Sequence, residues 1–143
     1  MEDHKKIYAV IDTNVVVSAL LAKYEKLPPS LILKYIFELI IIPVYNNEIL
    51  AEYKDVLSRP KFNFSPEKVE GLLETIQQIG LNVDKVEVDN SVFPDPKDIV
   101  FFEVKMAVDD SYLITGNIKH FPSHTMVVTP ALMIEILKDK RII

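Results

Sequence analysis

The chain has 143 residues, the length of one domain around a single core, and its 49% apolar content is too high for a disordered polymer. No apolar stretch is long enough to cross a bilayer, since the longest, Tyr35 to Val44, is interrupted by Glu38 and Pro43, and the absence of cysteine excludes disulfides and thiolate metal sites. A net charge of −5 argues against a domain that coats DNA nonspecifically, but acids gathered around hard cations leave a nucleic-acid substrate open.

Met1 to Lys6 contains Glu2, Asp3 and His4 and has no apolar centre, unlike a secretion signal, so the expected location is cytoplasmic. Ile7 to Ile11 is short, β-rich and uncharged, as in a buried parallel strand. Asn14 to Ala22 reads as a helix, Lys23 to Pro29 as a loop, Ser30 to Leu39 as an amphipathic helix and Ile40 to Tyr45 as a strand. Asn46 suits the N-cap of a helix through Leu57, and Arg59 to Phe62 a loop. Ser65 as N-cap, Pro66 at the first helical position and Gly80 beyond the end frame a helix of about four turns. Leu81 to Val88 alternates like a strand, and Asp89 to Lys97 is polar and proline-marked. Ile99 to Val108 is helical, Tyr112 to Thr115 and Met126 to Val128 are strands, and Thr129-Pro130 opens a last helix. Strands alternating with helices imply an α/β fold, a three-layer α/β/α sandwich around a mainly parallel sheet.

The acids carry the chemistry. Asp12 ends the first strand, where open α/β sheets build their sites, and a carboxylate beside a core strand is costly without a cation or donor. In the helix Asn46 to Leu57, residues Ile49, Leu50, Tyr53, Val56 and Leu57 share one arc. Glu48 and Asp55 point away from that arc, while Glu52 sits at its border, either as a solvated acid or facing a cleft. Asp98 starts a helix, a place where acids ordinarily satisfy free N–H groups. That helix is apolar almost all round, with Asp98 and Lys105 on its polar seam. Glu103 falls among the apolar positions and needs a metal, a subunit neighbour or, the more ordinary solution, a structural ion pair. Asp95, Asp109 and Asp110 read as loop and turn acids. The strand before Gly116 ends in Thr115, with Asn117 following, so both offer polar oxygens at the same sheet edge, and Gly116 permits a tight turn between them. An all-oxygen donor set from distant segments suits Mg²⁺ or Mn²⁺ rather than zinc. His120 and His124 share one loop and have no carboxylate at metalloprotease spacing; no Gly-x-Ser-x-Gly or Gly-Lys-Ser/Thr motif occurs.

Three segments together resemble the PIN domain. They are Val10 to Leu20 around Asp12-Thr13-Asn14, Glu48 to Phe62, and Asp95-Pro96-Lys97-Asp98 running through to Thr115-Gly116-Asn117. The likeness runs from Ile7 to Thr129, with residues 1–143 expected as one PIN-like domain, and is nearest the branch described as toxin components of prokaryotic toxin–antitoxin systems. It implies a Mg²⁺- or Mn²⁺-dependent endoribonuclease leaving 5′-phosphate and 3′-hydroxyl ends. Asp12, Glu52 and Asp98 would be its catalytic, metal-holding carboxylates, with Asn14 and Thr115 as supports. The fourth acid of the family falls at Asn117, a neutral ligand that would weaken a second metal unless Glu103 or Asp95 substitutes. Arg59, Lys61 and Lys119 are loop cations available to an RNA backbone. The implied partners are an RNA substrate, a cognate antitoxin and a second copy in a homodimer, with no membrane. The alternative is a catalytically weakened PIN domain that binds RNA or protein. A phospho-acceptor role for Asp12 is disfavoured, because no second acid stands two residues later.

Overall fold

The computed structural model describes residues 5–89, 91 and 93–143; Met1 to His4, including the sequence's first histidine, lie outside them. In chain order the elements are β1 (Ile7–Ile11), α1 (Thr13–Leu21), α2 (Pro28–Phe37), β2 (Ile41–Tyr45), α3 (Asn47–Leu57), α4 (Pro66–Ile79), β3 (Leu81–Asn82), α5 (Ile99–Ala107), β4 (Ser111–Ile114), β5 (Val127–Val128) and α6 (Pro130–Asp139). Among the described residues the strands form one five-stranded sheet in the order β3-β2-β1-β4-β5, every neighbour parallel. Helix α2 lies against α1, α6 and β2, while α5 lies against β1, β2 and β4 and α3 packs on α4. The result is an α/β sandwich, as the alternation of strand and helix patterns predicts.

Strand β1 is central because it can be buried on both faces: Ile7, Ala9, Val10 and Ile11 are all core residues. The caps explain several boundaries. Asn46 Oδ1 accepts the Ile49 N–H at 2.9 Å, Ser65 Oγ accepts the Lys68 N–H at 3.2 Å, and Thr129 Oγ1 accepts the Leu132 N–H at 3.1 Å. At Gly80 a side chain would press on the Pro43 carbonyl at 2.7 Å, so the chain can leave α4 beneath β2 only with glycine there.

The sequence expectations need four corrections. Pro28 and Pro29 do not close a loop; they form the first turn of α2, where a missing N–H costs nothing. Only Leu81–Asn82 of the alternating run to Val88 is strand, because it pairs only with the last two residues of β2. On α5 Lys105 is buried, and Met106 takes the exposed position. The Lys105 ammonium reaches back to the Val108 carbonyl at 3.4 Å, and burial lowers its pKa, with Asp109 and Asp110 opposing that shift. Finally, Gly116 has no positive φ; its N–H donates to Asn14 Oδ1 at 3.2 Å, so the turn does not depend on glycine's left-handed freedom.

Candidate active site

The sheet order places β1 and β4 side by side, although the chain leaves β1 towards β2. That is a reversal point, where a crevice opens at the carboxyl ends of the strands. Ile11 pairs with Ile114, so Asp12 and Thr115 follow at adjacent positions on the rim. The Asp12 N–H donates to the Ile114 carbonyl at 2.9 Å, and the Thr115 hydroxyl donates to Asp12 Oδ2 at 2.7 Å. Thr115 Oγ1 in turn accepts the Asn117 N–H at 3.0 Å. Asp12 is 6% exposed, and its carboxylate caps no N–H of α1. Burial pushes its pKa up to about 6; the Thr115 hydroxyl opposes this and the negative charge of Asp98 adds to it.

Asp98 precedes α5, yet its carboxylate caps no helix N–H either. It points instead at His120, whose Nδ1 lies 3.1 Å from Asp98 Oδ2. The Asp98 pKa is also raised, by burial first and by Asp95 next, with His120 opposing and Glu52 adding a smaller push. Two of the three carboxylates thus feel another of the set: Asp98 acts on Asp12, and Glu52 acts on Asp98. Glu52 itself is half-buried on α3.

A rim of acids at a sheet reversal point is a common design, and the match to a family sequence model decides which one this is. The sequence model described as PIN domain matches residues 8–119, from β1 through the turn after β4. The chain belongs to the PIN domain family. Searches of curated proteins and of solved structures returned no match. Membership makes the fold a nuclease-like one, of a family that is generally metal-dependent.

Among the described residues of this PIN domain, no three His, Asp or Glu side chains stand close enough to grip a metal ion directly. The donors fit a hard cation that retains part of its water. Mg²⁺ is usually held by one or two carboxylates plus water, and every donor here is oxygen. No cationic side chain among the described residues forms a salt bridge with Asp12, and the neighbouring Thr13 Oγ1 is buried without a hydrogen-bond partner. A buried carboxylate without a cationic partner would be further stabilised by a bound cation.

The other singled-out residues divide. Glu103, 6% exposed, is held by Lys85 at 3.5 Å, and Lys85 also binds Glu48 at 2.9 Å. This is the structural ion pair expected for a buried helix acid, and it occupies the group proposed to replace the fourth acid. These three residues and Glu52 line a cavity of about 520 Å³ between α3 and α5, whose lining includes neither Asp12 nor Asp98. Asp95 Oδ1 accepts the Lys97 N–H at 3.0 Å, the turn role expected of it. Asn117 is exposed two residues past Thr115, and its N–H bonds to the Thr115 hydroxyl oxygen. Arg59 is paired with Asp55 at 3.2 Å, Lys61 lies 5.1 Å over the Phe62 ring, and Lys119 is exposed on the turn Ile118–His120.

Sequence reasoning missed His120, Lys85 and Tyr53. His120 lies 22 residues beyond its carboxylate, and nothing in its surroundings signals the pairing. Lys85 was hidden in the run read as a strand. Tyr53 was counted among the apolar arc of α3, although a phenol in such an arc already implies a buried partner for its hydroxyl.

Proposed function

We propose that this PIN domain is a divalent-metal-dependent endoribonuclease using Mg²⁺ or Mn²⁺, with Asp12, Glu52 and Asp98 as its catalytic carboxylates. The observation that carries this reading is the condition of Asp12: buried at the reversal point, held by Thr115, pushed up to about 6 and without a cationic partner. Asp12 and Asp98 hold the ion, Glu52 contributes a third carboxylate from α3, and Asn117 is a neutral fourth corner. When bound, the ion supplies Lewis acidity towards the scissile phosphate and a nucleophilic water at neutral pH. Thr115 fixes one carboxylate oxygen of Asp12, orienting the group that would hold the ion. His120 does the same for Asp98, and Asn14 ties the start of α1 to the turn at Gly116. Lys61 and Lys119 are the cations available to the RNA backbone; Arg59 must first leave Asp55.

The protein's place, on this reading, is as the toxin of a toxin–antitoxin pair in the cytoplasm, a homodimer restrained by its antitoxin. A short upstream reading frame encoding a DNA-binding fold with a flexible tail tests that assignment. Cleavage of structured and unstructured RNA in Mg²⁺ and Mn²⁺ tests the chemistry, and equal cleavage by Asp12→Asn would overturn it. A second reading, an RNA- or protein-binding module with little catalysis, is favoured by Asn117 and by the spacing of the acids. Calorimetric titration separates the two: no Mn²⁺ binding at millimolar metal supports the binding module.

A further inference from the structure

The three carboxylates come from three different elements, and Asp98 repels Asp12 as Glu52 repels Asp98, so the fold must hold those elements together against that repulsion. One side chain touches all three. Tyr53 follows Glu52 on α3 and is 1% exposed. Its hydroxyl donates to the carbonyl of Ile11, the residue before Asp12. Its ring lies 6.3 Å from that of Phe101, three residues after Asp98, at an interplanar angle of 44°.

The peptide that Tyr53 reaches is a particular one. Its N–H belongs to Asp12 and points to β4, where it meets the Ile114 carbonyl. In a planar trans peptide the carbonyl points the opposite way, towards the β2 side. The β1–β2 register pairs Ile7, Tyr8 and Ala9 with Ile41, Ile42 and Pro43, so Ile11 lies beyond it. Tyr53 supplies the donor for this carbonyl. The Ile11–Asp12 peptide is therefore clamped from both sides, by β4 at its N–H and by α3 at its carbonyl. Burial and the Asp12 charge push ionisation of the phenol far up, so it remains a donor at every working pH.

We propose that Tyr53 is a positioning residue of the site: its hydroxyl fixes the peptide plane that carries Asp12 and sets the reach between Asp12 and Glu52 for a divalent cation. This rests on the nuclease reading above. Packing alone does not require the hydroxyl, because phenylalanine would fill the same space against Phe101.

The test is Tyr53→Phe in the full chain, with Mn²⁺ affinity measured by calorimetry without RNA and cleavage measured with it. Mn²⁺ affinity is expected to fall about tenfold, the loss typical when a group orienting a ligand is removed. kcat is expected to fall while KM for RNA holds. Phe101→Leu is the companion variant: it keeps the hydroxyl, lowers the melting temperature and should bind Mn²⁺ within about twofold of the parent. Parental Mn²⁺ affinity in Tyr53→Phe, when Asp12→Asn has lost binding, would overturn the role of Tyr53 alone. An equal loss in Phe101→Leu would do the same, by tracing the effect to packing. Undiminished Mn²⁺ binding in Asp12→Asn would instead remove the site on which both readings stand.

Discussion

Replacing Asp12 with asparagine should stabilise the metal-free protein at neutral pH, although the residue is assigned to the active site. The Asp12 pKa stands at about 6 in the fold against 3.8 for the free group. Below pH 3.8 the carboxyl is protonated in both states and has no effect. As the pH rises to 6 the unfolded chain loses its proton first, so the fold is progressively destabilised, and above 6 the full penalty applies. At about 1.4 kcal/mol per pH unit the penalty is roughly 3 kcal/mol. An amide keeps an acceptor for Thr115 but adds a buried NH₂ group, which costs about 1 kcal/mol. The net effect expected for Asp12→Asn is a gain of about 2 kcal/mol at pH 7.5 and a loss of up to about 1 kcal/mol at pH 4. Urea unfolding of both proteins in a chelator, at the two pH values, measures this directly. Adding Mn²⁺ should then stabilise the parent and leave the variant unchanged. A variant less stable than the parent at pH 7.5, or a gain of equal size at both pH values, would show that the carboxylate is not held at a penalty.

Lys85→Met should lower stability by about 1–2 kcal/mol, since Glu103 is left buried without its cation; adding Glu103→Gln should recover most of that loss in thermal melts, and additive losses would refute the pairing. Leu39, exposed after α2 with a φ of 62°, sits where glycine is preferred, so Leu39→Gly should raise the melting midpoint by the equivalent of about 0.5–1 kcal/mol. Asn117→Asp should tighten Mn²⁺ binding about fivefold, because one extra charge near a divalent ion at an exposed position is worth about 1 kcal/mol. Unchanged calorimetric affinity would place Asn117 outside the site.

Local rules carried the sequence reading furthest where one residue meets one backbone group. Asn46 and Ser65 were legible as caps because a cap requires only a side-chain oxygen three residues before an N–H; Thr129, read only as the start of the last helix, turns out to cap it in the same way. Asp12 and Thr115 were legible as rim residues because both end short apolar runs, and a parallel sheet brings such ends to one edge. What stayed hidden depends on partners far apart in the chain. The run from Leu81 alternates as a strand should, yet pairing stops after Asn82, where β2 has ended. Lys105 looked like the polar seam of α5, but the direction of that helix against β4 buries it. The links of His120 to Asp98 and of Lys85 to Glu103 join segments with no local signature of one another.

These hidden partners explain how the rim tolerates its charge. The charge of Asp98 opposes that of Asp12 at the sheet edge, and the fold answers the two differently. Asp98 is given an imidazole, while Asp12 is given the Thr115 hydroxyl and, among the described residues, no cationic side chain. Glu103, which the sequence offered as a spare ligand, is given a lysine and so withdrawn from the rim. Asp12 is thus left buried at the reversal point of the sheet without a salt bridge among the described residues, a place where a cation would be stabilising. Asn117 fits the same logic. A fourth acid two residues past Thr115 would add negative charge beside a buried carboxylate that forms no salt bridge among the described residues, raising the cost of the metal-free state. On the proposed nuclease reading, an amide there would keep an oxygen on the rim without that cost, and would trade affinity for a second ion against stability of the empty fold.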